Sequence, residues 1–250
     1  MKKIIKKLFH LIGFDVARVR KSKDESEDQV SNSTNEFEWL KEYNFKTIID
    51  VGANEGQFSA KISSVFPEAH IHCFEPLPDA FKQLQSNFKD KKNFTLNNFG
   101  LGAQNEEKSI FKNEYTPSSS LLEMLDLHKK NFDFAVNVEP EKILIKRLDD
   151  VFTTSLEQPL LLKIDVQGYE TFVIKGGETV ISQAEMIIVE TSFYPLYKDQ
   201  PLFEDIYDYF IGAGFRYAGN VEQLLSAKDQ KILQADAVFI KKRDNTKSSY

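Results

Sequence analysis

Cysteine and histidine are scarce in this 250-residue sequence, which contains one cysteine, Cys73, and four histidines. A single cysteine excludes an intrachain disulfide bond and agrees with a reducing compartment. The histidines are scattered along the chain, so the Cys/His spacing of a structural zinc site is missing. The sequence is therefore neither that of a disulfide-stabilised secreted domain nor that of a zinc finger.

Basic residues are in the minority, and long apolar runs are lacking. The chain carries 32 Lys and Arg against 38 Asp and Glu, a formal net charge of −6. This acidic balance argues against a general nucleic-acid binder. The apolar stretch near the N-terminus is too short and too interrupted by charges to span a bilayer. It also lacks a small-residue cleavage site, so it does not resemble a signal peptide. We expect a cytoplasmic protein.

The first 36 residues differ in composition from the rest. Residues 1–21 combine lysines with apolar residues at helical spacing, which predicts a basic amphipathic helix. Such a helix can lie on the inner face of an anionic membrane, or it can dock on the folded domain. Residues 22–36 are polar and charged, which predicts a flexible linker. We predict a folded domain over 37–242 and a disordered tail over 243–250.

The stretch KTIIDVGANEGQ, residues 46–57, joins an apolar run to a loop that contains Gly52 and Gly56. Apolar residues recur at helical spacing after the loop, which predicts a strand, a turn and a helix. This order is typical of ligand sites in open α/β sheets, where glycine lets the backbone approach the ligand. Asn54 occupies the place of the middle glycine in the G-x-G-x-x-G fingerprint, so the loop is not a dinucleotide motif.

Carboxylates follow three predicted strands. Asp50 ends the first strand, Glu75 follows the strand predicted over 69–74, and Asp165 ends a later buried strand. A carboxylate after the second strand can accept both hydroxyls of a ribose. No triple glycine is present to hold a pyrophosphate, so a cofactor with a ribose and a cationic tail fits better than one with phosphates. S-adenosylmethionine has that chemistry.

Four segments in combination resemble the FkbM-type methyltransferases, a family of class I enzymes that use S-adenosylmethionine. They are IIDVGANEGQFS, HCFEPLPDAFKQLQSN, LLKIDVQGYETFVIKGG and MIIVETS. The resemblance covers about residues 40–240. It implies a Rossmann-like α/β fold, with a mostly parallel seven-stranded sheet, a terminal antiparallel hairpin and helices on both faces. It also implies O-methylation of a hydroxyl on a sugar, a polysaccharide or a related metabolite.

The strand-end positions and the resemblance together predict three groups of site residues. For binding S-adenosylmethionine we predict Asp50, Gly52, Ala53, Asn54, Gly56, Gln57, Phe58, Glu75, Pro76, Leu101 and Asp165. For removing the proton of the acceptor we predict Asp165 or Glu190, with Glu170 beside them. For contact with the acceptor we predict Ser119, Ser120, Gln167 and Tyr194. A metal site is not predicted, because a third clear ligand is lacking.

Two other interpretations are compatible with parts of the sequence. A nicotinamide-dependent oxidoreductase would use the same sheet edge, although the missing middle glycine counts against it. A non-catalytic partner of a membrane-associated glycan assembly complex would account for the basic residues 1–21. The acids at all the expected strand ends count against that alternative. We expect a small-molecule or glycan acceptor and no nucleic-acid partner.

Overall fold

The computed structural model describes residues 36–113, 121–122, 138–226 and 228–243. A short 3-10 helix, Glu38–Tyr43, precedes the first strand. The strands are β1 (Thr47–Val51), β2 (His70–Phe74), β3 (Phe94–Asn97), β4 (Gly100–Leu101), β5 (Glu106–Asn113), β6 (Val138–Lys146), β7 (Leu160–Ile164), β8 (Met186–Ser192), β9 (Phe215–Leu225) and β10 (Ile232–Lys241). The helices are α1 (Gln57–Val65), α2 (Pro78–Phe88), α3 (Leu148–Val151), α4 (Glu170–Gly176), α5 (Glu178–Gln183) and α6 (Phe203–Gly212).

Seven of the described strands form one sheet in the order β3-β2-β1-β7-β8-β10-β9. The first five of these strands are parallel, and β10 runs antiparallel to both β8 and β9. Every residue of β1 and of β7 is buried, as is usual for the central strands of a parallel sheet. The sheet has the predicted seven strands and the predicted antiparallel pair at one edge.

Helices cover both faces of the sheet, because successive side chains of a strand point to opposite faces. Ile49 and Leu162 pack in a core with residues of α4, α5 and α6. Their neighbours Ile48 and Leu161 pack in a second core with residues of α1 and α2. Full burial of one such side chain stabilises the fold by about 1.5–3 kcal/mol. The two cores therefore hold the parallel strands in place between helices, as the sequence predicted.

A second sheet of three described strands, in the order β4-β6-β5, is inserted between β3 and β7. Its residues Ile110, Ile143 and Ile145 pack against the start of α2. The sequence predicted strands over 107–112 and 141–147 but not their pairing. The two glycines of Gly100-Leu101-Gly102 predict a turn after β3, and this prediction is wrong, because Gly100 and Leu101 pair with β6 as a short strand. The small sheet forms one wall beside the carboxyl ends of β1 and β2.

Three strands continue beyond their predicted ends. Asp50 is not the last residue of β1, because Val51 still pairs with β2 and β7. Strand β8 continues past Glu190 to Ser192, which pairs with β10. Strand β9 was predicted to end at residue 218 but continues to Leu225, since β10 pairs with it along this length. In each case the adjacent strand supplies hydrogen-bond partners that the local sequence does not reveal.

Several predictions concern residues outside the described ranges. They include the amphipathic helix at 1–21, the linker as far as residue 35, Ser119, Ser120 and the tail from residue 244. These stay as predictions. Within the described residues, no helix combines the length and the apolar character required to cross a bilayer.

Candidate active site

A cavity of about 390 Å³ lies at the carboxyl ends of β1, β2 and β7. Open α/β sheets bind ligands at this edge, and small-molecule sites are typically about 300–1,000 Å³. The structure brings most of the predicted site residues together there. They are Asp50, Gly52, Ala53, Asn54, Gln57, Phe58, Glu75, Pro76, Leu101, Asp165, Gln167 and Glu190.

The loop after β1 approaches the ends of both neighbouring strands. The backbone N–H groups of Gly52 and Ala53 donate to the carbonyl of Phe74, at 3.0 and 2.9 Å. A Cβ atom on Gly52 would lie 1.8 Å from the carbonyl oxygen of Asp165, and the residue has a φ of +82°. Only glycine combines this conformation with this close approach. The loop therefore lies directly against the end of β7, where the cavity begins.

The second half of the loop leads into α1. Asn54 has a φ of +49°, in agreement with the prediction that it would replace a glycine in a tight turn. Gly56 has a φ of +93°, and a Cβ there would lie 2.2 Å from the ring of Phe88. Gly56 is not among the described residues that line the cavity, so it differs from its predicted neighbours. It permits close packing of the loop against α2.

Glu75 joins two backbone segments at the cavity wall. Its Oε2 accepts a hydrogen bond from the Asn54 N–H at 2.9 Å, and its Oε1 accepts one from the Leu77 N–H at 2.8 Å. Burial raises the pKa of this carboxyl to about 7, although both backbone bonds oppose the increase. An ionised carboxylate has about four acceptor sites. Glu75 can therefore hold the two segments together and still accept hydrogen bonds from ribose hydroxyls.

Asp50 presents an acceptor atom to the cavity. Its Oδ2 accepts a hydrogen bond from the Ser59 hydroxyl at 2.6 Å. Its Oδ1 is buried and has no hydrogen-bond partner among the residues that the structure describes. Burial raises the pKa of Asp50, and the nearby Lys163 ammonium opposes the change. Since buried polar atoms are normally paired, this oxygen fits a hydrogen-bond donor on a ligand, such as the ammonium group of S-adenosylmethionine.

Gln167 connects two carboxylates at the other end of the cavity. Its Nε2 lies 3.0 Å from Asp165 Oδ1 and 3.0 Å from each carboxylate oxygen of Glu190. The Tyr197 hydroxyl donates to Gln167 Oε1 at 3.0 Å, which fixes the orientation of the amide. Lys163 Nζ donates to the other oxygen of Asp165 at 2.9 Å. The network holds Asp165 between two side-chain donors, whereas Glu190 accepts from the Gln167 amide alone among the side chains that the structure describes.

At the Gln167 end of the cavity, the acidic side chains outnumber the basic ones. Burial raises the pKa of Glu190 well above 4.5, and Asp165 raises it further. Burial also raises the pKa of Asp236 to about 6, against the effect of Lys163. For Lys163 itself burial favours the neutral form, but the carboxylates of Asp165 and Asp236 outweigh it and raise the pKa. The lysine is therefore charged at neutral pH, and Glu190 binds a proton more readily than an ordinary glutamate does.

Sequence reasoning missed Asp236, which lines the cavity from β10. This residue lies directly opposite Glu190 in the antiparallel pair of β8 and β10. Its only signal in the sequence is an acid within the apolar strand ADAVFIK. Lys61, Lys163 and Glu222 also line the cavity without having been predicted as site residues.

Besides Gly56, the predicted residues Glu170, Tyr194, Ser119 and Ser120 are not part of the described cavity wall. Glu170 accepts bonds from the N–H groups of Val166 at 3.2 Å and Gly168 at 3.0 Å, so its carboxylate holds the turn after β7. Tyr194 is 39% exposed. Tyr197 lies in the same loop as Tyr194, between β8 and α6, and contacts Gln167 instead. Ser119 and Ser120 lie outside the described residues.

We expect the substitution Glu170→Gln to weaken the dependence of stability on pH. Burial raises the pKa of Glu170 from 4.5 to about 7. The folded state therefore binds more protons than the unfolded state across this interval. The stabilisation is present below pH 4.5 and is lost as the pH rises through 7. Glutamine keeps an acceptor oxygen for both N–H groups and removes the charge.

Urea unfolding at acidic and at mildly alkaline pH measures this effect. Between acidic and mildly alkaline pH, the free energy of unfolding should decrease in the parent protein. The decrease should be smaller in the variant by about 1–3 kcal/mol. An equal decrease in both proteins would show that Glu170 does not titrate in this range.

Comparison with known proteins identifies the family. Residues 50–217 match the family model described as the methyltransferase FkbM domain. The 2-O-methyltransferase NoeI of Sinorhizobium fredii is 27% identical over 161 residues, which cover 61% of this chain and 66% of NoeI. The hexuronic acid methyltransferase AglP of Haloferax volcanii is 26% identical over 141 residues, covering 56% of this chain and 54% of AglP. The chain thus spans less than two thirds of either relative.

A solved structure supports the fold. The crystal structure of methyltransferase FkbM from Methylobacillus flagellatus superposes with a TM-score of 0.50, at 16% identity over 79% of this chain and 44% of the other. The family match covers more than half of the chain and includes the loop after β1, Glu75, Asp165 and Glu190. It decides against the nicotinamide-dependent oxidoreductase. The chain belongs to the FkbM family of methyltransferases, and its methyl donor is S-adenosylmethionine.

Proposed function

We propose that the protein transfers a methyl group to a hydroxyl oxygen of a sugar, a polysaccharide or a related metabolite. A hydroxyl must lose its proton when it is methylated, so the site needs a base. The observation that carries the proposal is the carboxylate of Glu190, which lines the cavity next to Asp165 and has a raised pKa. The name of NoeI, a 2-O-methyltransferase, supports transfer to oxygen, and the name of AglP, a hexuronic acid methyltransferase, supports a sugar as acceptor.

The donor would be held by residues at the β1 and β2 end of the cavity. When bound, S-adenosylmethionine supplies a methyl carbon activated by its sulfonium. Glu75 would accept hydrogen bonds from ribose hydroxyls, and the unpaired Oδ1 of Asp50 would accept one from the ammonium group. Leu101 and Ile145 give the same end an apolar wall for the adenine ring. These contacts would hold the donor in one orientation and exclude water from it.

Glu190 would accept the proton of the acceptor hydroxyl on one of its carboxylate oxygens. A base works best when its pKa lies near the working pH, and burial moves Glu190 in that direction. Asp165 is less suited, because the Lys163 ammonium donates directly to its Oδ2 at 2.9 Å, whereas among the described residues the side-chain donor to Glu190 is the neutral Gln167 amide. Gln167 would act as a positioning residue, since its amide contacts both carboxylates and is itself held by Tyr197.

Incubation of the purified protein with isotope-labelled S-adenosylmethionine and glycan fractions tests this function. We expect label on carbohydrate, a mass gain of one methylene group, and a bond that survives the mild alkali that cleaves methyl esters. An alkali-labile label would indicate a carboxyl acceptor and contradict O-methylation of a hydroxyl. Binding of the donor without any methylated product would favour the non-catalytic glycan-assembly partner instead.

A further inference from the structure

A row of polar side chains crosses one face of the main sheet. On this face Leu161, Ile188 and Val238 belong to the core beneath α1 and α2. Successive residues on one face of a strand are two positions apart. One such step from these apolar residues, toward the cavity, the same face carries charged residues. They are Lys163 on β7, Glu190 on β8 and Asp236 on β10, and all three line the cavity. The edge of this core is thus charged where it borders the cavity.

Acidic groups outnumber basic groups along this row. The described part of the cavity wall contains six carboxyl side chains and two lysines. Asp50 and Glu75 belong to the proposed donor end, which leaves Asp165, Glu190, Asp236 and Glu222 for the acceptor end. Both lysines are engaged there, since Lys163 donates to Asp165 at 2.9 Å and Lys61 donates to Glu222 at 3.1 Å. Lys61 is also paired with Glu36.

This arrangement has a direct consequence for the charge of an acceptor. Carboxylates accept hydrogen bonds from hydroxyl and ammonium groups, whereas an anionic group at the described acceptor end would meet four carboxyls and two lysines that already pair with acids. A sugar ring is smaller than the Debye length of about 8 Å at physiological ionic strength. A carboxylate or phosphate anywhere on the methylated ring would therefore be repelled by the acids of the acceptor end.

We propose that the acceptor ring is neutral or carries an amine, and that Asp236 and Glu222 select against anionic rings. This inference rests on the proposed function, because it names the class of hydroxyl compound that the same cavity takes. It also separates this protein from AglP, whose name specifies a hexuronic acid. The family match ends at residue 217, so Asp236 and Glu222 both lie outside the matched segment. The family match therefore gives no information about these two carboxyls.

A panel of oligosaccharides of three charge classes tests the proposal. The probes are neutral glucans and mannans, partly deacetylated chitin fragments, and uronic acid oligomers, each incubated with the full chain and labelled S-adenosylmethionine. We expect kcat/KM for the best neutral or amino acceptor to exceed that of the best uronic acid acceptor by at least about tenfold, the cost of one unfavourable charge contact. Equal or preferred methylation of uronic acid rings would overturn the inference and leave hydroxyl methylation intact. Absence of label from all carbohydrate would contradict the proposed function itself.

A double variant, Asp236→Asn with Glu222→Gln, tests the two residues named. The ratio of kcat/KM for neutral over uronic acceptors should fall by about tenfold, whatever happens to the absolute rates. A loss of folding or of donor binding would lower both rates equally and leave the ratio unchanged. The matched control is Glu204→Gln, which removes one exposed charge from α6 on the other face of the sheet. An unchanged ratio in the double variant would show that these carboxyls do not select the acceptor.

Discussion

Replacement of Glu190 by glutamine should lower kcat by about 10²- to 10⁴-fold while S-adenosylmethionine still binds. Glutamine has nearly the same shape as glutamate and keeps an oxygen to accept the Gln167 amide, but it cannot take the proton of the acceptor. In the parent protein the rate should rise with pH as Glu190 ionises, at a pH well above the 4.5 of an ordinary glutamate. This limb of the profile should disappear in the variant. Single-turnover kinetics and calorimetric titration with the donor measure the two effects separately.

Glu170 supplies the matched control for Glu190. Both glutamates have raised pKa values, but Glu170 is buried in the turn after β7, and of the two only Glu190 lines the described cavity. We expect Glu170→Gln to keep kcat within about threefold of the parent value, well short of the loss that removal of a base causes. Equal losses in the two variants would mean that stability and not proton removal explains the effect. Full turnover by Glu190→Gln would exclude it as the base and return that role to Asp165.

Replacement of Gly52 by alanine should be among the most destabilising single-methyl changes in the chain. The new Cβ would lie 1.8 Å from the backbone carbonyl oxygen of Asp165, and a φ of +82° is unfavourable for alanine. The backbone conformation costs about 1–3 kcal/mol, and the overlap adds a similar amount because backbone atoms must move. We expect a loss of about 3 kcal/mol or more in the free energy of unfolding. Since the displaced loop carries Asn54, donor affinity should also fall.

Alanine substitutions at three other glycines separate the cost of the positive φ from the cost of the Cβ overlap. At Gly176 a Cβ would overlap the carbonyl oxygen of Gly102 at 1.9 Å, without a positive φ. Gly214 has a φ of +88° but open space around it, and Gly212 has open space and no positive φ. Alanine at Gly176 or Gly214 should each cost about 1–3 kcal/mol, whereas alanine at Gly212, in a helix, should be neutral or slightly stabilising. A Gly52 variant as stable as the Gly212 variant would refute the close approach of the loop to β7.

The sequence predicted that the residues of the proposed donor end would meet at one edge of the sheet, because they are close together in the chain. The loop that contains Gly52 and Asn54 follows β1 directly, and Glu75 follows the next strand. In a parallel sheet the carboxyl ends of neighbouring strands meet at one edge. The local sequence pattern and this rule for parallel sheets were therefore sufficient to predict that these residues meet at one cavity.

The acceptor end was predicted less completely, because it depends on contacts between distant segments. Asp236 reaches the cavity only because β10 runs antiparallel beside β8 and places it opposite Glu190. Glu170 is three residues from Gln167 in sequence, but its carboxylate turns back to the N–H groups of Val166 and Gly168. No periodicity distinguishes a carboxylate that holds a turn from one that faces a ligand. In the same way, the packing of the loop between β8 and α6 decides that Tyr197, and not Tyr194, contacts Gln167.

The sequence by itself determined the α/β class and the strand–loop–helix unit after Lys46, and it favoured S-adenosylmethionine as the ligand, which the family match then identified as the methyl donor. These features follow from hydrophobic periodicity, from glycine at positions of close approach and from carboxylates at strand ends, all of which act over a few residues. The tertiary structure alone decided that the small sheet of β4, β5 and β6 forms a wall of the cavity. It also decided that Asp236 joins Glu190, and that Lys163 and Lys61 are each paired with acids. Strand pairing and helix packing bring together segments that are distant in the chain, by 161 residues for Lys61 and Glu222. Electrostatic effects depend on distance in space and not on separation along the chain.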